Sequence, residues 1–402
     1  MTAAKKRGMI VWIFLCCWFT YLTAYLCRVN FSSAMTALEM EKGFTAEKLG
    51  LIGAVYYGIY ACGQLVNGYI GDRVRANRFI LLAISGTMLC NLGMAFADSY
   101  GLTILLWGVN GCFQSMFWST IIRVLAQNIP AEKRASISAG ISLAMPVAYM
   151  VSWSLLGRCL DGAAAKWYFI IPAVVCLPLM GAWLLLSRRL SFVSDINNTS
   201  KRSIRETAAF LGREKLLWMV PVCMLHGLIK EGAAYWTPML VAGMDISAGW
   251  SPYLLAGILP AANLVGILAS RVMLKNSKGS PFFILAAVFI AIVLVSAGLL
   301  LGSGGLFIVG MMALISGMCY ANNTILMSYL PMQYTADNMV ASMIGVFDFA
   351  SYAGAAVSTY VLGRVLADFG FAPLPGIWLG AAAAGAAVAL LVMYLRRASV
   401  KG

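Results

Sequence analysis

Five charged side chains interrupt long apolar stretches of this 402-residue chain: Arg28, Arg123, Lys230, Glu231 and Asp348. On the most lenient insertion scale each costs at least about 2.5–3.5 kcal/mol in hydrocarbon. Each is therefore expected either to hold a ligand or to lock helices together. Tyr21, Tyr25 and Arg28 recur at i, i+4 and i+7, which puts two phenols and a guanidinium on one helix face. A guanidinium presents a planar fork of donors matched to carboxylate or phosphate, so this face suits an anion. The competing reading is an aromatic stripe packed on neighbouring helices. Lys230 is followed directly by Glu231. Adjacent residues in a helix point about 100° apart, which makes these two poor partners for one another. Asp348 lies roughly 15 Å into its apolar stretch. There it suits either a resting counter-ion for Lys230 or a carboxylate that carries a proton.

The elements that must position these residues follow from composition. The chain is 61% hydrophobic and only 11% charged, against roughly 25% charged in ordinary soluble domains, and its mean hydropathy is +0.84. A stretch of about 20 apolar residues crosses a bilayer as a helix. Twelve such stretches run near 9–38, 45–70, 79–97, 102–126, 135–157, 167–187, 216–242, 250–270, 281–301, 305–329, 338–366 and 374–395. The predicted fold is an all-α polytopic membrane protein of twelve transmembrane helices. Lys5, Lys6 and Arg7 resemble the start of a signal peptide, but the apolar run after them is too long for one and reads as an uncleaved first helix. The cluster Glu39-Met40-Glu41-Lys42-Gly43 separates the first two stretches. The polar segment 188–215 reads as a cytoplasmic linker between an N-terminal half, 1–187, and a C-terminal half, 216–402.

Orientation follows from the basic residues, which collect on the cytoplasmic side. Segments 5–7, 73–78, 133–134, 188–215, 271–278 and 396–401 hold 21 of the 29. Both termini are thus expected inside, which also removes Asn197-Asn198-Thr199-Ser200 as a glycosylation site. The net charge of +14 is explained by this topology rather than by nucleic acid. Ten cysteines without metal or redox spacing and a single histidine, His226, argue against a metal site. No cofactor is expected. No nucleophile, base and oxyanion-donor constellation points to an enzyme.

The halves repeat one frame. Gly68-Tyr69-Ile70-Gly71-Asp72-Arg73-Val74 follows the second stretch, and Gly266-Ile267-Leu268-Ala269-Ser270-Arg271-Val272 follows the eighth, 198 residues later. Arg28 and Lys230, in the first and seventh stretches, are 202 residues apart. Such repeats imply pseudo-twofold halves about a central cavity, with Arg28 and Lys230 expected across it from each other. Two facing cations require a counter-anion, and a phosphate group carries about −1.5 to −2 near neutral pH. After the second stretch, Asp72, Arg73 and Arg78 form a charged loop that Arg123 and Glu132 are placed to pair with, holding the cytoplasmic side shut.

That loop resembles the signature of the major facilitator superfamily. Arg28-Val29-Asn30-Phe31 looks like the Arg-x-Asn-Phe of its organophosphate:phosphate antiporters. Phe113-Gln114-Ser115-Met116-Phe117-Trp118 with Arg123 is similar to that family's Phe-Gln-Gly-Met-Gly-Trp…Arg. Lys230-Glu231-Gly232-Ala233-Ala234-Tyr235-Trp236-Thr237-Pro238 resembles its Arg-Tyr-Gly-x-x-Asp-Trp-Ser-Pro. Gly345-Val346-Phe347 and Gly354 resemble its eleventh helix. The resemblance implies a monomeric rocker-switch exchanger of the cytoplasmic membrane that trades an organophosphate for inorganic phosphate. It implies a substrate site of Arg28, Lys230, Tyr21, Tyr25, Gln64, Gln114, Trp118, Trp236 and Asp348, and a gate of Gly68, Asp72, Arg73, Arg78, Arg123 and Glu132. Lys230 stands where the family has Arg, Gln64 where its glycerol-phosphate members have Lys, Met145 where they have His, and Tyr235 where they have an acid. These departures leave the organic part of the anion open. Two rivals remain at this point: a proton-coupled symporter of a small organic anion using Asp348, and a membrane sensor that binds the anion without moving it.

Overall fold

The computed structural model describes residues 3–71, 74–128, 137, 140–189, 204–244, 250–276, 280–334 and 339–401. Long helices dominate them: α1 Ala3–Lys42, α2 Ala46–Gly71, α3 Ala76–Ala95, α4 Tyr100–Gln114 and α5 Phe117–Asn128. Helix α6 begins as Ala144–Met150 and runs through a π turn, Val151–Leu156, into Gly157–Cys159. Then come α7 Lys166–Arg189, α8 Ile204–Arg213, α9 Met219–Ala242, α10 Pro252–Asn276 and α11 Pro281–Leu301. Helix α12, Gly305–Thr324, continues through a second π turn, Ile325–Tyr329, and Leu330–Met332. Helices α13, Val340–Phe369, and α14, Leu374–Lys401, close the order.

Among the described residues, nine helices are long and apolar enough to cross a membrane. The other three expected spans depart for identifiable reasons. The fourth is divided at Ser115-Met116 into α4 and α5. The Ser115 hydroxyl donates to the Cys112 carbonyl (2.7 Å) and accepts from Asn67 Nδ2 (2.6 Å), and such a local bond competes with the helical ladder. The span at α9 is a full-length helix diluted by Lys230-Glu231, and α13 is a 30-residue helix that carries Asp348. The outward faces carry exposed Leu89, Leu105, Leu185, Leu254, Leu268 and Leu294, as a lipid-facing surface requires.

The charged cluster 39–43 does separate the first two spans, and residues 39–42 are the last turn of α1, which Gly43 (φ +62°) ends. The charges there do structural work on the same unit. Lys42 Nζ donates to the Ala97 carbonyl (2.6 Å), and Glu41 Oε1 accepts from the Ala165 amide (2.8 Å).

The chain forms two compact units, Met1–Gly43 with Cys62–Asn197, and Phe44–Ala61 with Asn198–Gly402, so residues of α2 belong to both. Inside the first, α1 packs on α6 and α7, and α3 on α7. Inside the second, α9 packs on α13, α10 on α12, and α11 on α14. The third and sixth stretches pair in one unit as the ninth and twelfth pair in the other. A buried side-chain bond repeats as well: Asn67 to Ser115 in the first unit, and Ser316 to Asn263 (2.6 Å) in the second.

In the second unit α9 crosses α13 closely, as α10 crosses α12 at Gly266 and Gly317. A Cβ at Gly227 would overlap the Ser351 carbonyl, and one at Gly354 the Met224 carbonyl. Small residues let membrane helices approach backbone to backbone, where dispersion replaces the hydrophobic drive that lipid does not supply. Helix α8, in the segment expected to be a linker, carries Phe210 against Tyr334. Arg396 of α14 donates to the Glu214 carbonyl (3.0 Å) and to the Tyr334 hydroxyl (2.6 Å).

Candidate functional site

The first unit presents Arg28 as the sequence predicts. Its side chain is 5% exposed, and its guanidinium lies 5.1 Å from the centroid of the Tyr25 ring, within the range of a cation–π contact. Tyr21 and Tyr25 are 5.0 Å apart, so the three residues share one face of α1. The aromatic run extends both ways. Trp118, just past the α4–α5 break, stacks obliquely on Tyr21 at 5.0 Å. Tyr149 of α6 lies 6.0 Å from Tyr25 and 4.8 Å from Trp153.

Amides fix the height and rotation of α1. Gln114 Nε2 donates to the Ala24 carbonyl (3.0 Å), and Asn110 Nδ2 to that of Cys27 (3.1 Å). Asn91 Nδ2 reaches the same Cys27 carbonyl (3.3 Å), and Asn30 Nδ2 donates to Asn91 Oδ1 (2.7 Å). In hydrocarbon such side chains join helices, because there is no water to compete for them. Gln114 therefore ties α4 to the turn that carries Tyr25 and Arg28. Gln64 is half-buried on α2.

The second unit holds Lys230 on α9, and here one expectation is corrected. Lys230 and Glu231 do pair, with Nζ 2.9 Å from Oε1 and side-chain exposures of 7% and 2%. The 100° between adjacent residues separates their Cα–Cβ directions, not the ends of long side chains. The four-methylene stem of Lys230 lets its ammonium swing back around the helix. Nζ also donates to Asn323 Oδ1 (3.1 Å) and lies 5.5 Å from the Tyr320 ring. Asn323 Oδ1 is 3.4 Å from His226 Nε2, one turn before Lys230. Glu231 Oε2 accepts from the Tyr57 hydroxyl (3.1 Å). Tyr57 stacks on Tyr352 at 6.1 Å, beside Tyr60 at 4.4 Å from the same ring.

Asp348 is half-buried on α13, which packs against α9. Trp236 is fully buried beside Gly50 and Gly363, with Tyr235 next to it donating to the Leu49 carbonyl (2.7 Å). Asn323, Tyr57, Tyr149 and Asn110 escaped the sequence reading. Amides and phenols inside apolar stretches, such as Asn322-Asn323 and Tyr56-Tyr57, were the available signal.

Among the residues expected to form a gate, Arg123 donates to the Val74 carbonyl at 2.5 Å, which ties the end of the fourth span to the loop after α2. Arg78 is exposed and Gly68 lies in α2. Asp72, Arg73 and Glu132 lie outside the described residues.

The model of the Major Facilitator Superfamily matches residues 17–359, and the chain belongs to that superfamily. It is a multi-pass membrane protein. A probable hexose phosphate transport protein of Chlamydia muridarum (strain MoPn / Nigg) is 28% identical over 176 residues, which are 44% of this chain and 38% of that protein. Matches to three such chlamydial proteins span 38%, 36% and 40% of their lengths. The glycerol-3-phosphate transporter of Bacillus subtilis (strain 168) is 23% identical over 336 residues, covering 73% of this chain and 72% of that one. The resemblance to organophosphate:phosphate antiporters is upheld by these relatives. The crystal structure of the nucleoside transporter NupG shares the fold, with TM-score 0.76, 12% identity, and 96% and 98% of the two chains covered. Family and neighbours are transporters, not enzymes.

Proposed function

We propose that the chain is an alternating-access carrier of twelve transmembrane helices, both termini cytoplasmic, that exchanges an organophosphate for inorganic phosphate. Arg28 and Lys230 bind the phosphoryl group, flanked by Tyr21 and Tyr25. The remaining substrate contacts come from among Gln64, Gln114, Trp118, Trp236 and Asp348. The observation that carries the reading is the pair of buried cations, one in each sequence repeat, at 5% and 7% exposure. A lipid-embedded scaffold gains nothing from either charge at that depth, and a phosphate answers both. The names of the relatives support the substrate class.

Proteoliposomes loaded with phosphate test it. Labelled phosphate uptake is expected to require internal phosphate and to fall to background in Arg28→Ala and in Lys230→Ala. Robust uptake by both variants contradicts the reading. A second reading, proton-linked symport of a small organic anion, is favoured by the Glu231 carboxylate 2.9 Å from Lys230 and by Asp348 on α13, the helix packed against α9. Uptake driven by a pH gradient without internal anion, lost in Asp348→Asn, marks that alternative.

A further inference from the structure

The Lys230 cluster contains more than a cation. Lys230 Nζ is already matched by an ionisable side chain at 2.9 Å, and that side chain is itself held from its other oxygen by Tyr57. Taking Lys230 as a phosphate ligand, as above, raises a conflict of charge. A phosphate oxygen in charge-assisted contact with Nζ stands about 2.7–2.9 Å from it, hence within roughly 6 Å of Glu231 Oε1. In a low-dielectric surrounding two anions at that range repel strongly. Swinging an ionised Glu231 aside leaves a buried charge that has lost its partners, which is the costlier arrangement. One change removes the conflict without moving the helix: the carboxylate takes up a proton.

We propose that Glu231 is a proton-linked counter-ion, ionised on Lys230 when the site is empty and protonated when a phosphate group replaces it there. The step balances. The Glu231 carboxylate gains one proton from the aqueous phase, the ammonium stays charged, and one anion enters. Release returns the proton and restores the pair. The empty site then carries no net charge on this pair, and each bound anion travels with a proton taken up by the protein. This assigns proton linkage to Glu231 rather than to Asp348.

Among the described residues, ionisable and polar groups lie on the helix of Glu231 and on the helices packed with it. His226, Lys230, Cys223 and Tyr235 share its helix. Tyr56, Tyr57 and Tyr60 come from α2, Cys319, Tyr320 and Asn323 from the α12 side, and Asp348 and Tyr352 from α13. Helices α10 and α14 bring no acidic residue.

The test is binding of inorganic phosphate to the purified full chain from pH 5.5 to 8.5. The ionisation of phosphate itself is common to every variant, so comparison of variants isolates the protein's proton. The wild-type dissociation constant is expected to rise with pH more steeply than that of Glu231→Gln, by about tenfold per pH unit where Glu231 is ionised. At pH 8, Glu231→Gln is expected to bind at least about tenfold tighter. Tyr57→Phe keeps the ion pair and removes a donor that favours the charged carboxylate. It is expected to move the steep region to higher pH, and it carries the same test if Glu231→Gln fails to fold. Equal slopes in wild type, Glu231→Gln and Tyr57→Phe, with binding still lost in Lys230→Ala, overturn the proposal alone. A wild type that binds no phosphate at any pH, or binding unaffected by Lys230→Ala, overturns the phosphate reading and this proposal with it.

Discussion

The Arg28 face and the Lys230 cluster surround a buried cation by different means. Arg28 stands over the Tyr25 ring in an aromatic run, on a stretch, 9–38, with no acidic residue in its sequence. Lys230 keeps a carboxylate at 2.9 Å and an amide oxygen at 3.1 Å. The ring quadrupole stabilises a guanidinium through its π face, and the planar fork of a guanidinium matches two oxygens of a carboxylate or phosphate. A carboxylate neutralises an ammonium outright, so an incoming anion must compete. The two stretches thus offer the same sign of charge beside different neighbours, an aromatic ring at Arg28 and a carboxylate at Lys230.

The comparison breaks most severely if the scaffold under Lys230 fails. Gly227→Leu sets a side chain against the Ser351 backbone, which cannot retreat as a rotamer would. A loss of about 3 kcal/mol or more is expected, at the upper end for overpacking, seen as loss of folded, monodisperse protein in detergent. The same change at Gly58, where a Cβ meets nothing, is the control.

Exchanging the two cations sharpens the contrast. Arg28→Lys removes the fork where it is proposed to act, and phosphate binding is expected to weaken about tenfold, worth about 1.4 kcal/mol. Lys230→Arg keeps a charge that Glu231 can still match, and a smaller change is expected. Equal losses in titrations of the two variants would show that the sites are equivalent after all.

Comparable in size is Tyr25→Leu. It removes the ring beneath Arg28 at a cost of about 0.5–2 kcal/mol, so phosphate affinity should drop by a few-fold to about thirtyfold with no change in thermal stability of the empty protein beyond that range. Smallest are Asn67→Ala and Asn263→Ala, which remove the repeated buried bond. Each is expected to lower stability by about 0.6–1 kcal/mol, and by similar amounts, in denaturation monitored by tryptophan fluorescence. A large difference between them would show that the repeat is one of sequence only.

Much of this molecule could be read from residue order. Apolar runs of about 20 residues admit one secondary structure in lipid, so the described spans fall on the expected stretches, with ends six residues away at Ala3, Asn276 and Lys401. The misreadings have physical causes. Glu41 and Lys42 lie past the apolar stretch 9–38 because they are charged, yet their side chains satisfy backbone groups at Ala165 and Ala97 and let α1 run on to Lys42. The break at Ser115-Met116 depends on Asn67 from another helix, which no local pattern reveals. At the site, the i, i+4, i+7 rule placed Tyr21, Tyr25 and Arg28 correctly because their contacts lie along one helix. It misjudged Lys230 and Glu231 because the reach of a lysine stem, not the helix period, decides that contact. Asn323, Tyr57 and Tyr149 arrive from distant segments, so only the fold brings them in.

The central claim is that both buried cations bind the phosphoryl group, and calorimetric titration of the purified chain with inorganic phosphate at pH 6 addresses it directly. Removing a charged partner from a desolvated contact costs about 2–5 kcal/mol. The account predicts that Arg28→Ala and Lys230→Ala each weaken binding by about thirtyfold or more while the folded helical content is retained. Phosphate affinity within a factor of two of wild type in either variant would contradict it.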